Sequence, residues 1–151
     1  MVNVALATEN NAVDCELVIE LVRMARGITI VPWAAQQVRL AGGWKGIVRA
    51  TRTFLNLASV AGVRHAIVMI DNDGGLKRRP AHQATHVAAQ EAADLENGCA
   101  TCLVNAQLPS TWLNAPYKKC IAVPVQTLET WLLAVTGFGF ANPAPELNFH
   151  R

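Results

Sequence analysis

Charged residues are scarce in this chain, and no apolar run is long enough to cross a membrane. Only 16% of the 151 residues are charged and 52% are apolar, which excludes an intrinsically disordered chain. The net charge of +2 is too small to indicate nucleic-acid binding by bulk electrostatics, so any such binding must come from local patches. The most apolar segment, WLLAVTGFGF, is about half of the ~18 residues that a membrane span needs. Because no basic leader follows Met1, we expect a cytoplasmic, soluble protein without membrane association.

Cysteine is also infrequent, and the four cysteines do not form a zinc pattern. Cys99 and Cys102 have CxxC spacing, but a tetrahedral zinc site needs a second well-spaced pair. Cys15 and Cys120 are isolated in apolar surroundings. The segment CATCLV is typical of a strand, which would point the two cysteines of the pair to opposite faces. We therefore expect ordinary buried or half-buried thiols, as in a reducing compartment.

Apolar strands alternate with amphipathic helices along the chain. The pattern predicts strands at 2–8, 28–33, 65–71, 99–106 and 118–125, and helices at 12–26, 45–61, 81–97 and from 127 onward. This βαβαβαββα order predicts an α/β fold of three layers, with a mostly parallel sheet and helices on both faces. We expect one domain over residues 1–134, followed by an irregular tail at 135–151 that is rich in Gly and Pro.

The first two predicted helices each have an apolar face. In the second helix a polar stripe runs opposite that face. The predicted apolar residues are Val13, Leu17, Leu21 and Met24 in the first helix, and Ile47, Phe54, Leu55 and Ala58 in the second; the polar stripe is Lys45, Arg49, Arg52 and Asn56.

Three acids stand at the carboxyl ends of predicted strands, where open α/β sheets bind their ligands. Glu9 follows the first strand, and Asp71 and Asp73 follow the third. Strand alternation turns Asp71 and Asp73 to the same side, where two carboxylates can share Mg²⁺ or Mn²⁺. Gly74 and Gly75 allow a sharp turn and a close approach of the backbone to a ligand. A plain turn is the alternative interpretation, because Asp, Asn and Gly are common in turns.

The segment IDNDGG also resembles the first motif of haloacid-dehalogenase phosphatases, whose first Asp is a nucleophile. That family normally has the motif on its first strand and needs a later acidic pair for Mg²⁺. Here two β–α units precede the motif, and after Glu96 the acids are only Glu129 and Glu146. The phosphatase interpretation therefore fails on missing residues.

The order of four short motifs resembles the Toprim domain, the fold shared by topoisomerases, primases and the OLD family of nucleases. The resemblance is closer to small stand-alone Toprim-like proteins, and it covers residues 2–134. The matching stretches are ATENNAVDCELVIELV, AGGWKGI, VMIDNDGG and CIAVPVQTLETWLLA.

The resemblance implies Mg²⁺- or Mn²⁺-dependent phosphoryl transfer on nucleic acid. Asp71 and Asp73 would bind the metal, and Glu9 would bind it or handle the proton. The chain departs from the family pattern twice. Asn10 replaces the glycine after the first-strand Glu, and the residues after the late proline are not acidic, which leaves Glu129 as an accessory candidate.

Basic residues follow the acidic turn immediately. Lys77, Arg78 and Arg79 would lie at the rim of a metal site, with Lys45 near it, and would bind the phosphates of a nucleic acid. A solvated charged loop is the alternative. His82 lies close to this run and is a second accessory candidate.

Two functions of different classes remain open. The first is a metal-dependent nuclease of a defence or mobile-element system. The second is a catalytically degenerate Toprim-like module that binds a protein partner or forms a homodimer through its last helix and tail. The scarcity of late acids favours the second, and the order of the motifs favours the first.

Overall fold

A computed structural model describes residues 1–10, 13–34, 38, 40, 43–70 and 100–123. These ranges contain four strands, three α-helices and one 3-10 helix. In chain order they are β1 Val2–Ala7, α1 Asp14–Arg26, β2 Ile30–Trp33, α2 Gly43–Val60, β3 His65–Met69, α3 Ala100–Asn105, the 3-10 helix Ser110–Leu113 and β4 Lys118–Ala122.

The four strands form one parallel sheet in the order β2-β1-β3-β4. At its centre, Ala5 of β1 is level with Trp33 of β2 on one side and with Ala66 of β3 on the other. The chain thus moves from β1 to β2 in one direction and then crosses back past β1 to β3. Since such crossovers are right-handed, α1 and α2 lie on opposite faces of the sheet. The predicted α/β fold with a parallel sheet is confirmed.

Side-chain alternation along β1 divides the apolar core into two layers. Val4 and Leu6 pack with Val18 and Leu21 of α1. The intervening residues of β1 pack on the opposite face with α2, α3 and the 3-10 helix, in a cluster that includes Ala5, Ala7, Ile47, Phe54, Leu55, Ala58, Val104 and Trp112. Each fully buried large apolar side chain contributes about 1.5–3 kcal/mol to folding, so this larger layer fixes α2 firmly against the sheet.

The predicted apolar face of α2 is confirmed, whereas that of α1 is partly wrong. Val13 is 51% exposed and Met24 is 37% exposed, while Val18 is buried beside Leu21. The first helix begins at Asp14 and turns Val18 and Leu21, three residues apart, toward the sheet. Val13 is left at the helix start as the N-cap residue, where its side chain points to solvent.

The strand predicted at 99–106 is wrong, because Ala100–Asn105 is the helix α3. Its buried residues Thr101 and Val104, followed by Leu108, recur at intervals of three and four, which is helical spacing. Cys102 of the CxxC pair consequently does not lie on a strand; it is buried in α3. Cys120, on β4, is an exposed residue rather than a buried or half-buried one as predicted.

Several predicted elements lie outside the described residues. They are the end of the third strand at 71, the helix at 81–97, the end of the last strand at 124–125, the helix from 127 and the tail at 135–151. Within the part of the chain that the structure describes, no helix combines the length and the hydropathy needed to span a membrane.

Candidate functional site

The sheet order creates a crevice between the carboxyl ends of β1 and β3. After β1 the chain turns to the face covered by α1. The connection from β3 to β4 includes α3, whose Val104 packs on the opposite face. A parallel sheet binds its ligands at this kind of point, where connections leave neighbouring strands toward opposite faces. The fold therefore locates its candidate site above β1 and β3.

Glu9 and the residue before Asp71 border this crevice. The pairing of β1 with β3 ends with Ala7 level with Val68, and two further residues bring the chain to Glu9 and Ile70. Ile70 is fully buried, and its backbone N–H donates to the carbonyl oxygen of Ala122 at 3.1 Å. This bond to β4 fixes the position of Ile70, the residue before Asp71.

The Glu9 side chain lies against the first residue of α2. Its atom Oε1 is buried, and Oε2 is 3.5 Å from the position that a Cβ atom on Gly43 would occupy. Gly43 has a φ of 62°, in the left-handed region that favours glycine. A glycine here satisfies the backbone conformation and leaves open the space beside the carboxylate. This contact joins two of the motifs behind the Toprim resemblance, the ATEN loop and the AGGWKGI segment.

The loop after Glu9 is closed by a reciprocal pair of hydrogen bonds. The Asn10 N–H donates to Oδ2 of Asp14 at 2.7 Å, and the Asp14 N–H donates to the Asn10 carbonyl oxygen at 2.9 Å. No non-glycine residue among those described has a positive φ, so the backbone at Asn10 does not require a glycine. The asparagine at this position is therefore accommodated locally. Sequence reasoning missed the role of Asp14; its position four residues after Asn10, at the helix start, was the available signal.

A cysteine lies behind this loop. The Thr8 hydroxyl and the Cys15 thiol are 3.5 Å apart and share a hydrogen bond. Burial raises the pKa of the Cys15 thiol; the bond with Thr8 opposes that increase, and the charge of Asp14 adds to it. The thiol therefore stays protonated near neutral pH and is not a ready thiolate nucleophile. The described residues contain no cluster of three or more His, Cys, Asp or Glu side chains that could hold a metal by themselves.

Lys45 is the predicted phosphate-binding residue that the structure describes. It is exposed, two residues beyond Gly43, with its Nζ atom 5.5 Å from the centroid of the Trp44 ring. Trp44 is half-buried against the α2 side of the core. An ammonium over an indole face is held by a cation–π attraction, which positions the Lys45 charge near the first turn of α2.

Sequence reasoning also missed a cavity of about 340 Å³ next to this edge. It lies at the carboxyl end of β2, and its walls include Leu6, Cys15, Trp33 and Phe54. The rings of Trp33 and Phe54 are 5.4 Å apart at their centroids. The contributing residues come from four elements, which is why no local sequence pattern indicated the cavity.

The other predicted site residues lie outside the described residues. They are Asp71, Asp73, Lys77, Arg78, Arg79, His82 and Glu129. The structure brings Glu9 next to Gly43, with Lys45 two residues farther along α2, and it bonds Ile70, the residue before Asp71, to β4.

Comparison of this chain with protein families, with curated proteins and with solved structures gave no match.

Proposed function

We propose that this protein is a Mg²⁺- or Mn²⁺-dependent phosphoryl-transfer enzyme acting on nucleic acid, most simply a nuclease of the Toprim-like type. The observation that carries the proposal is the position of Glu9 at the carboxyl end of β1, beside the strand that leads directly into Asp71. Glu9 and Ile70, the residue before Asp71, are sixty-one positions apart in the chain and both follow neighbouring parallel strands at the edge where a parallel sheet binds its ligands.

Chain geometry supports a shared site for the three acids. Consecutive Cα atoms are about 3.8 Å apart, so the Cα of Asp71 is about that far from the Cα of Ile70. Neighbouring strands of a sheet are typically about 4.8 Å apart, and β1 and β3 are neighbours. Glu9 and the Asp71–Asp73 pair would then form a donor set of carboxylates, the ligands that Mg²⁺ accepts while keeping several waters.

The chemistry requires little more than positioning and charge neutralisation. Bound metal would polarise the phosphate, and Asp71 and Asp73 would hold it. Glu9 either completes the ligand set or accepts a proton from the attacking water. Lys45, with the segment 77–79, would neutralise phosphates next to the scissile bond, because cations near the reacting phosphoryl group stabilise its charge. His82 and Glu129 remain accessory candidates.

A second function, a non-catalytic binding or assembly module, is favoured by one specific observation. The Glu9 carboxylate packs on Gly43 at the start of α2, and one of its oxygens is buried. A carboxylate at a helix N-terminus stabilises the helix by itself, by about 0.3–1 kcal/mol, without any metal. Two apolar side chains, Val60 at 88% and Leu113 at 60% exposure, are available for contacts with a second copy or another protein.

Cleavage assays separate the two functions. Single- and double-stranded DNA and RNA would be incubated with the wild type, Glu9→Gln and Glu16→Gln, with Mg²⁺, Mn²⁺ or a chelator. Glu16 is a matched control, because it is an exposed acid on α1 near the same edge. We expect metal-dependent cleavage by the wild type and Glu16→Gln, and a loss of about 10²–10⁴-fold in Glu9→Gln. Full activity in Glu9→Gln contradicts the proposed site, and a wild type inactive on every substrate favours the binding module.

A further inference from the structure

Charge is distributed unequally along the residues that the structure describes. The described residues of 43–70 and 100–123 include six lysines and arginines and no acid, and they are Lys45, Arg49, Arg52, Arg64, Lys118 and Lys119. The acids of the first described stretches are Glu9 at the strand end and Asp14, Glu16 and Glu20 in α1. Within the described residues the ion pair is Arg23 with Glu20, also in α1. Three of these cations lie on α2, which carries no acid.

Three of these cations form one exposed row on α2. Lys45, Arg49 and Arg52 are exposed and recur at intervals of four and three residues, which places them on the same side of a helix. Asn56 continues the row. From Lys45 to Arg52 the row is about 10 Å long, the axial length of seven helical residues. We call these four residues the α2 track.

The cations of the α2 track are held in place by the protein. The Arg49 Nε–H donates to the Lys45 carbonyl oxygen at 3.2 Å. An Nη2–H of Arg52 donates to the carbonyl oxygen of Ala106, just after α3, at 2.9 Å. A guanidinium has five N–H donors, so each arginine has donors left for a ligand. Side chains that are already ordered lose less conformational entropy when they bind a phosphate.

The direction of α2 connects the track to the candidate site. Gly43, the first helical residue, lies near the Glu9 carboxylate, since a Cβ atom built on it would be 3.5 Å from Oε2 of Glu9 at the carboxyl edge of the sheet. The helix then runs toward Val60, which precedes the amino end of β3. Lys45 is consequently the track residue nearest to Glu9, and Arg52 is farther from that edge.

We propose that the α2 track binds the phosphate backbone of a single-stranded nucleic acid and leads that strand to the Glu9 edge. A single row of three cations matches one backbone rather than the two backbones of a duplex. A membrane surface is disfavoured, because a helix that lies on a membrane inserts its apolar face, and the apolar face of α2 is buried in the core. The claim that the track leads the nucleic-acid strand to a reacting site rests on the proposed function. The claim that the track binds the strand rests on the charges of Lys45, Arg49 and Arg52.

Fluorescence anisotropy with a short labelled single strand, in chelator and at several salt concentrations, tests the proposal without any cleavage. The track variant is Lys45→Gln/Arg49→Gln/Arg52→Gln. The matched control is Arg26→Gln/Lys118→Gln/Lys119→Gln, which removes the same three charges from exposed positions away from the track. Each phosphate contact contributes about 0.7 to the slope of log K against log salt for a single strand. We therefore expect the slope to fall by about 2 in the track variant and to be unchanged in the control.

A charge-conserving variant and two competitors separate phosphate binding from misfolding and from general attraction of polyanions. Arg49→Lys/Arg52→Lys keeps the charges and should keep the slope, and thermal unfolding of every variant checks that the fold is intact. The proposal is overturned if the wild type does not bind at about 50 mM salt, if track and control variants lose the same slope, or if an unlabelled duplex binds more tightly than the single strand. It is also overturned if polyglutamate competes as well as a single strand does.

The outcome is distinguishable from that of the proposed function. If the single strand binds through the track in chelator but no metal condition gives cleavage, the track proposal is supported and the enzyme proposal is rejected. If cleavage is metal-dependent and requires Glu9 but substrate binding does not depend on the track, the enzyme proposal is supported and the track proposal is rejected.

Discussion

Replacing Gly43 by alanine should lower both stability and metal binding, whereas the same replacement at Gly27 or Gly62 should lower stability alone. All three glycines have left-handed backbones, with φ values of 62°, 65° and 78° respectively. A Cβ atom on Gly43 would lie 3.5 Å from Oε2 of Glu9, but nothing lies within 4 Å of a Cβ on Gly27 or Gly62. The three substitutions therefore share the backbone effect and differ only in the contact with the carboxylate.

The size of the backbone effect follows from opposing contributions. A left-handed conformation costs an L-residue roughly 1–2 kcal/mol. Alanine also reduces the entropy of the unfolded chain, which returns about 0.4–1 kcal/mol. We expect each variant to lose about 1 kcal/mol of unfolding free energy, or roughly 2–4 °C in Tm for a domain of this size. The distance of 3.5 Å is ordinary van der Waals contact, so the added methyl on Gly43 should not add a steric penalty.

Urea denaturation measures the stability loss, and calorimetry with Mn²⁺ measures the binding. The methyl group would cover one side of the Glu9 carboxylate, so metal affinity should fall in Gly43→Ala and stay at the wild-type value in the two controls. Gly43→Asn should recover stability, since asparagine tolerates the left-handed region, but not metal affinity. Two results would refute this reasoning. One is that Gly27→Ala and Gly62→Ala are as stable as the wild type. The other is that Gly43→Ala binds Mn²⁺ as tightly as the two control variants do.

Three other predictions concern the supports of the site. Trp112→Phe should lower the unfolding free energy measured in urea by about 1–3 kcal/mol. It removes buried volume and the hydrogen bond that Nε1–H donates to the Leu55 carbonyl oxygen at 2.9 Å. A loss below about 0.5 kcal/mol would contradict the burial of Trp112. Asp14→Ala should cost about 1 kcal/mol and Asp14→Asn less, since the amide oxygen can still accept from Asn10; equal losses would contradict this role. Desolvation raises the pKa of the Cys15 thiol, so its contribution to stability is complete below the unfolded thiol pKa and is lost as pH rises through the folded one. In reducing buffer, the unfolding free energy should fall above about pH 8.5 and fall less in Cys15→Ala. The same pH dependence in Cys15→Ala and the wild type would exclude this thiol as the cause.

The part of the fold that the sequence predicted correctly is the part with strong local patterns. Three apolar strands separated by helices specify a parallel sheet, and the spacing of Ile47, Phe54 and Leu55 specifies the inner face of α2. The strand predicted for the segment CATCLVNA was wrong, because a short apolar run does not distinguish a strand from a helix. Tertiary packing decided the outcome, since Val104 and Leu108 fill the α2 side of the core from a helix.

The candidate site was predictable only where chain order determines position. Glu9 ends a strand, and the carboxyl ends of parallel strands meet at one edge, so its location followed from the sequence. Its contact with Gly43 did not, because it depends on how α2 approaches β1. The hydrogen bond from Arg52 to Ala106, which orients a track residue, joins positions 54 apart and has no local signature.

Calorimetric titration of Mg²⁺ and Mn²⁺ into the wild type, Asp71→Asn/Asp73→Asn, Glu9→Gln and the control Glu16→Gln tests the proposed metal site most directly. We predict one saturable site in the wild type and Glu16→Gln, loss of binding in the aspartate variant and weaker binding in Glu9→Gln if Glu9 is a ligand. If Glu9 handles only the proton, Glu9→Gln binds metal normally and loses cleavage alone. Equal binding in the wild type and the aspartate variant, or no binding in either, would contradict a metal site at the crevice between β1 and β3.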